Sequence, residues 1–172
     1  MPDPDIIGNR PTLAEAFAWR LTSSIIRPKM QIREFIEKDT EEVIALWVRC
    51  QLVVPSNNPQ KDIERKLKVD RDLFLVGILD KKIVATVMGG YEGHRGWINY
   101  LAVDPVCRRN GYGRLITEEV ERRIRSKGCP KINLQVRAAN KEVLKFYQSL
   151  GYTDDHVLGL GKRLEEDEPY RA

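Results

Sequence analysis

Val103-Asp104-Pro105-Val106-Cys107-Arg108-Arg109-Asn110-Gly111-Tyr112-Gly113 is the stretch whose reading decides the fold. An apolar run, Trp97 to Val103, leads into it, and a helical pattern over Arg114 to Ser126 leads out. The order is therefore strand, short loop, helix. The first turn of a helix carries backbone N–H groups without internal partners, and the macrodipole adds partial positive charge there. Glycines allow a ligand's phosphates to approach that backbone. Arg108 and Arg109 add fixed charge suited to phosphate oxygens. The physical reading is a pyrophosphate cradle at a helix N-terminus.

The two commonest cradles do not fit. A P-loop needs Lys-Ser or Lys-Thr after its last glycine, and here Gly113 is followed by Arg114-Leu115. A dinucleotide fingerprint needs G-x-G-x-x-G, and Gly111-Tyr112-Gly113-Arg114-Leu115-Ile116 lacks the third glycine.

Outward from the loop, the pattern is mixed. Gln31–Ile36 alternates as a strand, and Asp39-x-x-Glu42 opens a helix in the manner of a capping box, with Val43, Leu46, Trp47 and Cys50 on one face. Asn58-Pro59 starts a second helix, with Ile63 and Leu67 inward. Leu73–Leu79 and Ile83–Met88 form a hairpin about Asp80-Lys81-Lys82. Four glycines between Gly89 and Gly96 suggest a turn with strained backbone. After the helix over Arg114–Ser126, Gly128 and Pro130 signal a stop. Ile132–Val136 alternates as a strand. Asn140 caps a last helix with Val143, Leu144, Tyr147 and Leu150 on one face. Tyr152–Leu164 is expected to supply the last strands, and Glu165–Glu168 a solvated acidic tail. Residues 1–29 read as an N-terminal extension, partly helical over Pro11–Leu21, ahead of a domain spanning 30–172.

A chain of 172 residues, 42% hydrophobic and 31% charged, suits one globular domain with a proper core. No apolar run reaches a membrane span. The net charge of +4 is scattered among acids, which suits an anionic ligand and argues against nucleic acid as the main partner. Cys50, Cys107 and Cys129 are widely spaced and form no metal-ligand pattern, so no metal is expected. Free thiols and the lack of a secretory signal point to the cytoplasm. The arginines beside Cys107 are expected to lower its thiol pKa.

Arg108-x-x-Gly111-x-Gly113 resembles the Q/R-x-x-G-x-G/A motif of the GNAT superfamily, the Gcn5-related N-acetyltransferases. Asn140-x-x-Val143-x-x-Phe146-Tyr147-x-x-Leu150-Gly151-Tyr152 resembles that family's C-terminal segment, with Val143 in place of its common alanine. The runs Asp62–Lys66, Val87–Gly96 and Gly128–Ile132 resemble the bacterial YpeA type, a group similar to the RimI-like acetyltransferases. The resemblance covers roughly Met30 to Leu164. It implies an α/β (α+β) GNAT fold: a mixed, mostly antiparallel central sheet, splayed in the middle, with helices on both faces.

The resemblance also implies roles. Acetyl-CoA is the co-substrate. Leu101, Ala102 and Val103 would line its pantetheine as a neighbouring strand would, with a backbone N–H polarising the thioester carbonyl. The amides of Arg108, Arg109, Asn110, Gly111, Tyr112, Gly113 and Arg114 would meet the pyrophosphate. Asn140 would bond the pantetheine arm, and Tyr147 would protonate the departing thiolate. Glu92, His94 and Glu34 are candidate general bases, with ordered water as the alternative, and His156 is read as structural. The expected reaction is direct attack of a primary amine on the thioester. The acceptor is left open among protein N-termini, lysines and small amines. A homodimer fits the family's habit. The alternatives are a catalytically silent acyl-CoA sensor or interaction module, a nucleic-acid accessory domain, and a different acyl donor.

Overall fold

The computed structural model describes residues 29–170; the helix expected over Pro11–Leu21 lies outside them. A five-stranded sheet in the order β1-β2-β3-β4-β5 forms the centre: β1 Gln31–Glu34, β2 Phe74–Leu79, β3 Lys82–Tyr91, β4 Gly96–Val103 and β5 Ile132–Asn133. The first four strands pair antiparallel, and β5 joins β4 in parallel. Helices α1 Thr40–Arg49 and α2 Pro59–Lys66 precede β2, α3 Tyr112–Ser126 follows β4, and α4 Lys141–Ser149 follows β5. The mixed, mostly antiparallel sheet that the resemblance implies is present.

Period-two alternation sends side chains of one strand into two cores. Phe74 and Val76 of β2 join Trp47, Leu46 and Val43 of α1 and Ile63 of α2 on one face. Leu75 joins Ile116, Val120 and Ile124 of α3 on the other. Helices thus cover both faces, and the largest buried side chains, Trp47, Phe35 and Phe74, sit on the α1 face.

Local chemistry explains most element boundaries. The Asn58 side chain accepts from the amides of Gln60 and Lys61, and Pro59 takes the first turn of α2, as expected. Gly128, at φ +85°, follows α3, and Gly151, at φ +93°, follows α4. The Asp39 cap differs from its expectation. Its carboxylate turns back to Arg33 (2.6 Å) and the Ile36 amide (3.0 Å), while Glu42 accepts from the Ile83 amide across the core edge.

Four further expectations are corrected. Gly89, Gly90 and Gly96 lie within strands, and of the glycines between 89 and 96 only Gly93 has positive φ. Gly89 is there for space: an added Cβ would stand 2.5 Å from Val120 Cγ2 of α3. Tyr152–Leu164 forms no strand, and Val157, Leu158, Leu160 and Leu164 are exposed. Asp154, Asp155, Gly159 and Gly161 are poor strand formers and interrupt that segment. The acidic tail is only partly solvated. Asp167 is held by two 2.7 Å bonds from Arg65, which draw its carboxyl down to about 2, and the tail lies along α2. On α4, Leu144 faces solvent and Tyr147 alone is buried.

Two predictions follow from this packing. Gly89→Ala should lower unfolding free energy by roughly 1–3 kcal/mol through overpacking. Gly90→Ala, whose Cβ would meet nothing closer than 3.9 Å, serves as control; it should stay within about 1 kcal/mol of the parent in denaturant titration. On α3, Arg122 and Arg123 both bond Glu119 and hold its carboxyl at about 2. The unfolded carboxyl titrates near about 4.3. The stabilisation is therefore complete above that pH and is lost as pH falls through about 2. Glu119→Gln should cost up to about 1 kcal/mol at neutral pH, and the difference should close in acid titrations of stability.

Candidate active site

The site is organised by the way β4 ends. β5 pairs with β4 only at Gly96↔Ile132 and Trp97↔Asn133. Beyond Trp97 the outer edge of β4 has no partner strand among the described residues, and Leu134–Val136 continue without pairing. Strand five is therefore shorter than its expected Ile132–Val136, and the two strands diverge where the expected splay lies.

The inner edge of β4 is irregular at the same level. Met88 pairs with Asn99 and Thr86 with Ala102, so Tyr100 and Leu101 together face Val87 alone. This is a β-bulge, and Tyr100 takes φ +50° within it. The Thr86 hydroxyl donates to the Tyr100 carbonyl (3.1 Å) and accepts from Trp47 Nε1 (2.8 Å). The Trp47 and Tyr100 rings stack with centroids 4.1 Å apart. The Tyr100 hydroxyl donates to Asp62 Oδ2 (2.6 Å) and accepts from Asn57 Nδ2. Burial, with Asp62 as acceptor, pushes this phenol above its ordinary pKa.

Past β4, the loop turns sharply. Asp104 caps a short 3-10 turn, Pro105–Cys107, through the Val106 amide (3.2 Å), and also takes two bonds from Arg49 of α1. Arg109 (φ +64°) and Gly111 (φ +83°) supply the left-handed steps into α3. The first intrahelical bond runs from the Leu115 amide to the Gly111 carbonyl (3.1 Å). No side chain caps α3, so the amides of Tyr112, Gly113 and Arg114 have no partner among the described residues.

The arginines are used unequally. Arg108 Nε donates to the Val103 carbonyl (3.1 Å), tying the loop to the strand end. Arg109 is exposed and 3.4 Å from Glu142, a contact worth little. Arg114 reaches Ser149 O (3.0 Å) at the end of α4, so its guanidinium serves the packing of α3 on α4. Asn110 Nδ2 donates to the carbonyls of Cys107 and Arg108 and shapes the turn. The Cys107 thiol contradicts its expectation: burial and Asp104 raise its pKa.

The two motifs meet in space. A Cβ on Gly113 would stand 3.3 Å from the Phe146 ring and 3.6 Å from Val103 Cγ2. Phe146 and Tyr152 both meet Tyr147 edge-on, with centroids at 5.2 and 5.4 Å. Tyr147 is 7% exposed, and its hydroxyl, unbonded to the described residues, keeps solvent access. Burial, reinforced by Glu121, pushes this phenol up to about 12. Glu121 in turn accepts from the Tyr152 hydroxyl (2.8 Å). Asn140 caps α4 through Oδ1 to the Val143 amide (3.3 Å), and its Nδ2 has no partner among the described residues.

The structure does not bring Glu92 and His94 to this place. They lie in the β3–β4 turn, where Glu92 accepts from the amides of His94 (2.8 Å) and Arg95 (2.7 Å). The turn is five strand residues, roughly 16 Å, from Leu101. Glu34 is engaged by Arg123 (2.9 Å), and His156 is exposed beside Asp154. The sequence assigns no site role to Tyr100, Thr86, Trp47, Asp62 or Asn57 individually: Trp47 reads as a core residue of its helix, Asp62 falls in a run similar to the YpeA group, and nothing in Trp97–Val103 marks a left-handed residue.

These parts can bind an anion at a helix start, pair with an amide-bearing chain along an open strand edge, and donate a proton from a neutral phenol. Comparison with known proteins bears on the fold and the family. The model of the acetyltransferase (GNAT) family matches residues 36–152. Among solved structures, Ard1 from Thermoplasma volcanium is similar with TM-score 0.63 and 22% identity, over 72% of this chain and 82% of that one. Glucosamine-6-phosphate N-acetyltransferase from Arabidopsis thaliana gives 0.60 and 22%, over 80% and 99%. AAC(6')-Iy in complex with a bisubstrate analogue gives 0.64 and 19%, over 78% and 99%. The family match spans both motifs and the divergence between β4 and β5, and the chain belongs to the GNAT acetyltransferase family.

Proposed function

We propose that the chain is an N-acetyltransferase that takes acetyl from acetyl-CoA and passes it to a primary amine by direct attack on the thioester. One observation carries the reading. Three unpartnered amides at the start of α3 lie next to the end of β4, whose outer edge is open and whose last carbonyl is tied to Arg108. This donor set suits a diphosphate followed by an amide-bearing arm. The amides of Tyr112, Gly113 and Arg114 hold the diphosphate, with Arg108 and Arg109 adding charge. Leu101, Ala102 and Val103 present the strand edge to the arm, and an amide after the bulge polarises the thioester carbonyl. Asn140 Nδ2 donates to the arm. Tyr147, a phenol neutral at physiological pH, gives its proton to the leaving sulfur.

Glu92 and His94 are too far from Leu101 to act as base without a rearrangement, which favours proton removal through water. AAC(6')-Iy and the Arabidopsis enzyme have acceptors named in their descriptions. At 19% and 22% identity these do not transfer, and the acceptor here is an amine of open class.

Two measurements test the reading. Acetyl-CoA at 100 times its dissociation constant should stabilise the protein by roughly 2.7 kcal/mol, a rise of roughly 5–10 °C in Tm for a chain of this size. Gly111→Glu should abolish the rise. Gly111→Ala bears the same left-handed backbone cost without the carboxylate and should keep most of it. Tyr147→Phe should lower kcat about 100-fold at unchanged acetyl-CoA affinity. Because the phenol titrates only at about 12, the parent enzyme should lose no rate to Tyr147 ionisation below pH 10, as read from the pH profile of thiol release.

A further inference from the structure

Tyr100 is held in an unfavourable conformation by three separate contacts. A left-handed residue other than glycine costs roughly 1–3 kcal/mol and persists only where its surroundings impose it. The first contact is the Thr86 hydroxyl on the Tyr100 carbonyl. The second is the Trp47 indole stacked on the ring. Both belong to the core, since Thr86 and Trp47 are fully buried. The third grips the far end of the ring. Asp62 Oδ2 accepts from the hydroxyl at 2.6 Å, and Asn57 Nδ2 donates to it. This last contact comes from α2 and the loop before it, outside the sheet. The Asp62 side chain is 25% exposed and also bonds Arg65 at 3.2 Å.

A bulge is a hinge in the ladder, and the direction of the amides after it depends on the dihedral angles inside it. The ring of Tyr100 is a rigid lever on those angles. Fixing its tip at Asp62 fixes rotation about χ1, which the stacking contact alone restrains less well. A carboxylate accepting from a phenol is a strong, charge-assisted clamp. The hydroxyl stays protonated, because burial and Asp62 both oppose its ionisation. With its hydroxyl already engaged by Asp62 and Asn57, Tyr100 serves here as a structural donor.

We infer that Asp62 is a positioning residue: acting through the Tyr100 hydroxyl, it locks the β4 bulge and so aims the backbone amides of Leu101 to Val103. The catalytic consequence rests on the acetyl-transfer reading above, but the aiming itself does not. It assigns α2 a role in the reaction that none of its residues has through contact with the cofactor loop.

The test compares Tyr100→Phe, Asp62→Ala, Asp62→Asn and the double variant Asp62→Ala/Tyr100→Phe in the full chain. Without cofactor, the amide resonances of Leu101, Ala102 and Val103 should shift in Tyr100→Phe and in Asp62→Ala, and the double variant should shift them no further. With acetyl-CoA and an amine, each single variant should lower kcat about tenfold, with KM for acetyl-CoA within about twofold. The double variant should be no slower than either single one. Asp62→Asn keeps an acceptor oxygen and should recover most of the loss. Unmoved amides, parental kcat in Tyr100→Phe, or additive losses in the double variant would overturn the inference. So would loss of the ascending pH limb in Asp62→Ala but not in Tyr100→Phe, since Asp62 would then act as a base. A parent protein that releases no thiol from acetyl-CoA contradicts the acetyl-transfer reading, while the cofactor-free resonances still decide whether Asp62 aims the bulge.

Discussion

One left-handed residue inside a strand, Tyr100, governs what the rest of β4 can do. In an uninterrupted strand Ile98 and Tyr100 would share a face. Here the bulge shifts the phase, so Ile98 packs with the α3 core while Tyr100 and Ala102 pack with the α1 core. Leu101 and Val103 then turn towards α3. The cost of that backbone is met by contacts from Thr86, Trp47 and Asp62, which tie α1, α2, β3 and β4 to one point. Position of the strand end follows from this, and position of the loop follows from the strand end.

The second constraint is the seating of α4 against the start of α3. Gly113 has its place because the Phe146 ring would meet anything larger at 3.3 Å. Arg114 reinforces the seat by reaching the carbonyl of Ser149. The same contact sets Tyr147, one residue from Phe146, between the Phe146 and Tyr152 rings, where burial pushes its phenol up to about 12. A glycine that a sequence reading assigns to phosphate access thus also serves helix packing. The two purposes agree, because a bare helix start must be both approachable and rigid.

What was legible in the sequence was local. Asn58-Pro59, Gly128, Asn140 and Gly151 act through neighbours within a few residues, and each does its expected job. The loop from Asp104 to Gly113 could be read because spacing alone fixes where a helix begins. What failed depended on distant partners. Asp39 and Glu42 have the spacing of a reciprocal cap, but each has a better partner elsewhere, Arg33 for one and the Ile83 amide for the other. The glycines at 89 and 96 suggested a turn, yet they make room for Val120 and Ile124 on a helix more than twenty residues away. Asp167 sits in an acidic run that reads as solvated, and Arg65 captures it. Tyr100 carries no local mark at all, since its conformation is imposed by tertiary contacts. Glu92 and His94 had suitable chemistry in sequence, and their turn places them at the other end of β4.

The central claim is that acetyl-CoA lies in the gap between β4 and β5 with its diphosphate on the start of α3. Residue-resolved amide hydrogen exchange, with and without acetyl-CoA, addresses it most directly. The account predicts that exchange slows at Leu101–Val103 and at Tyr112–Arg114, while the turn from Glu92 to Arg95 is unchanged. Unchanged exchange at both the strand end and the helix start under saturating acetyl-CoA would contradict it.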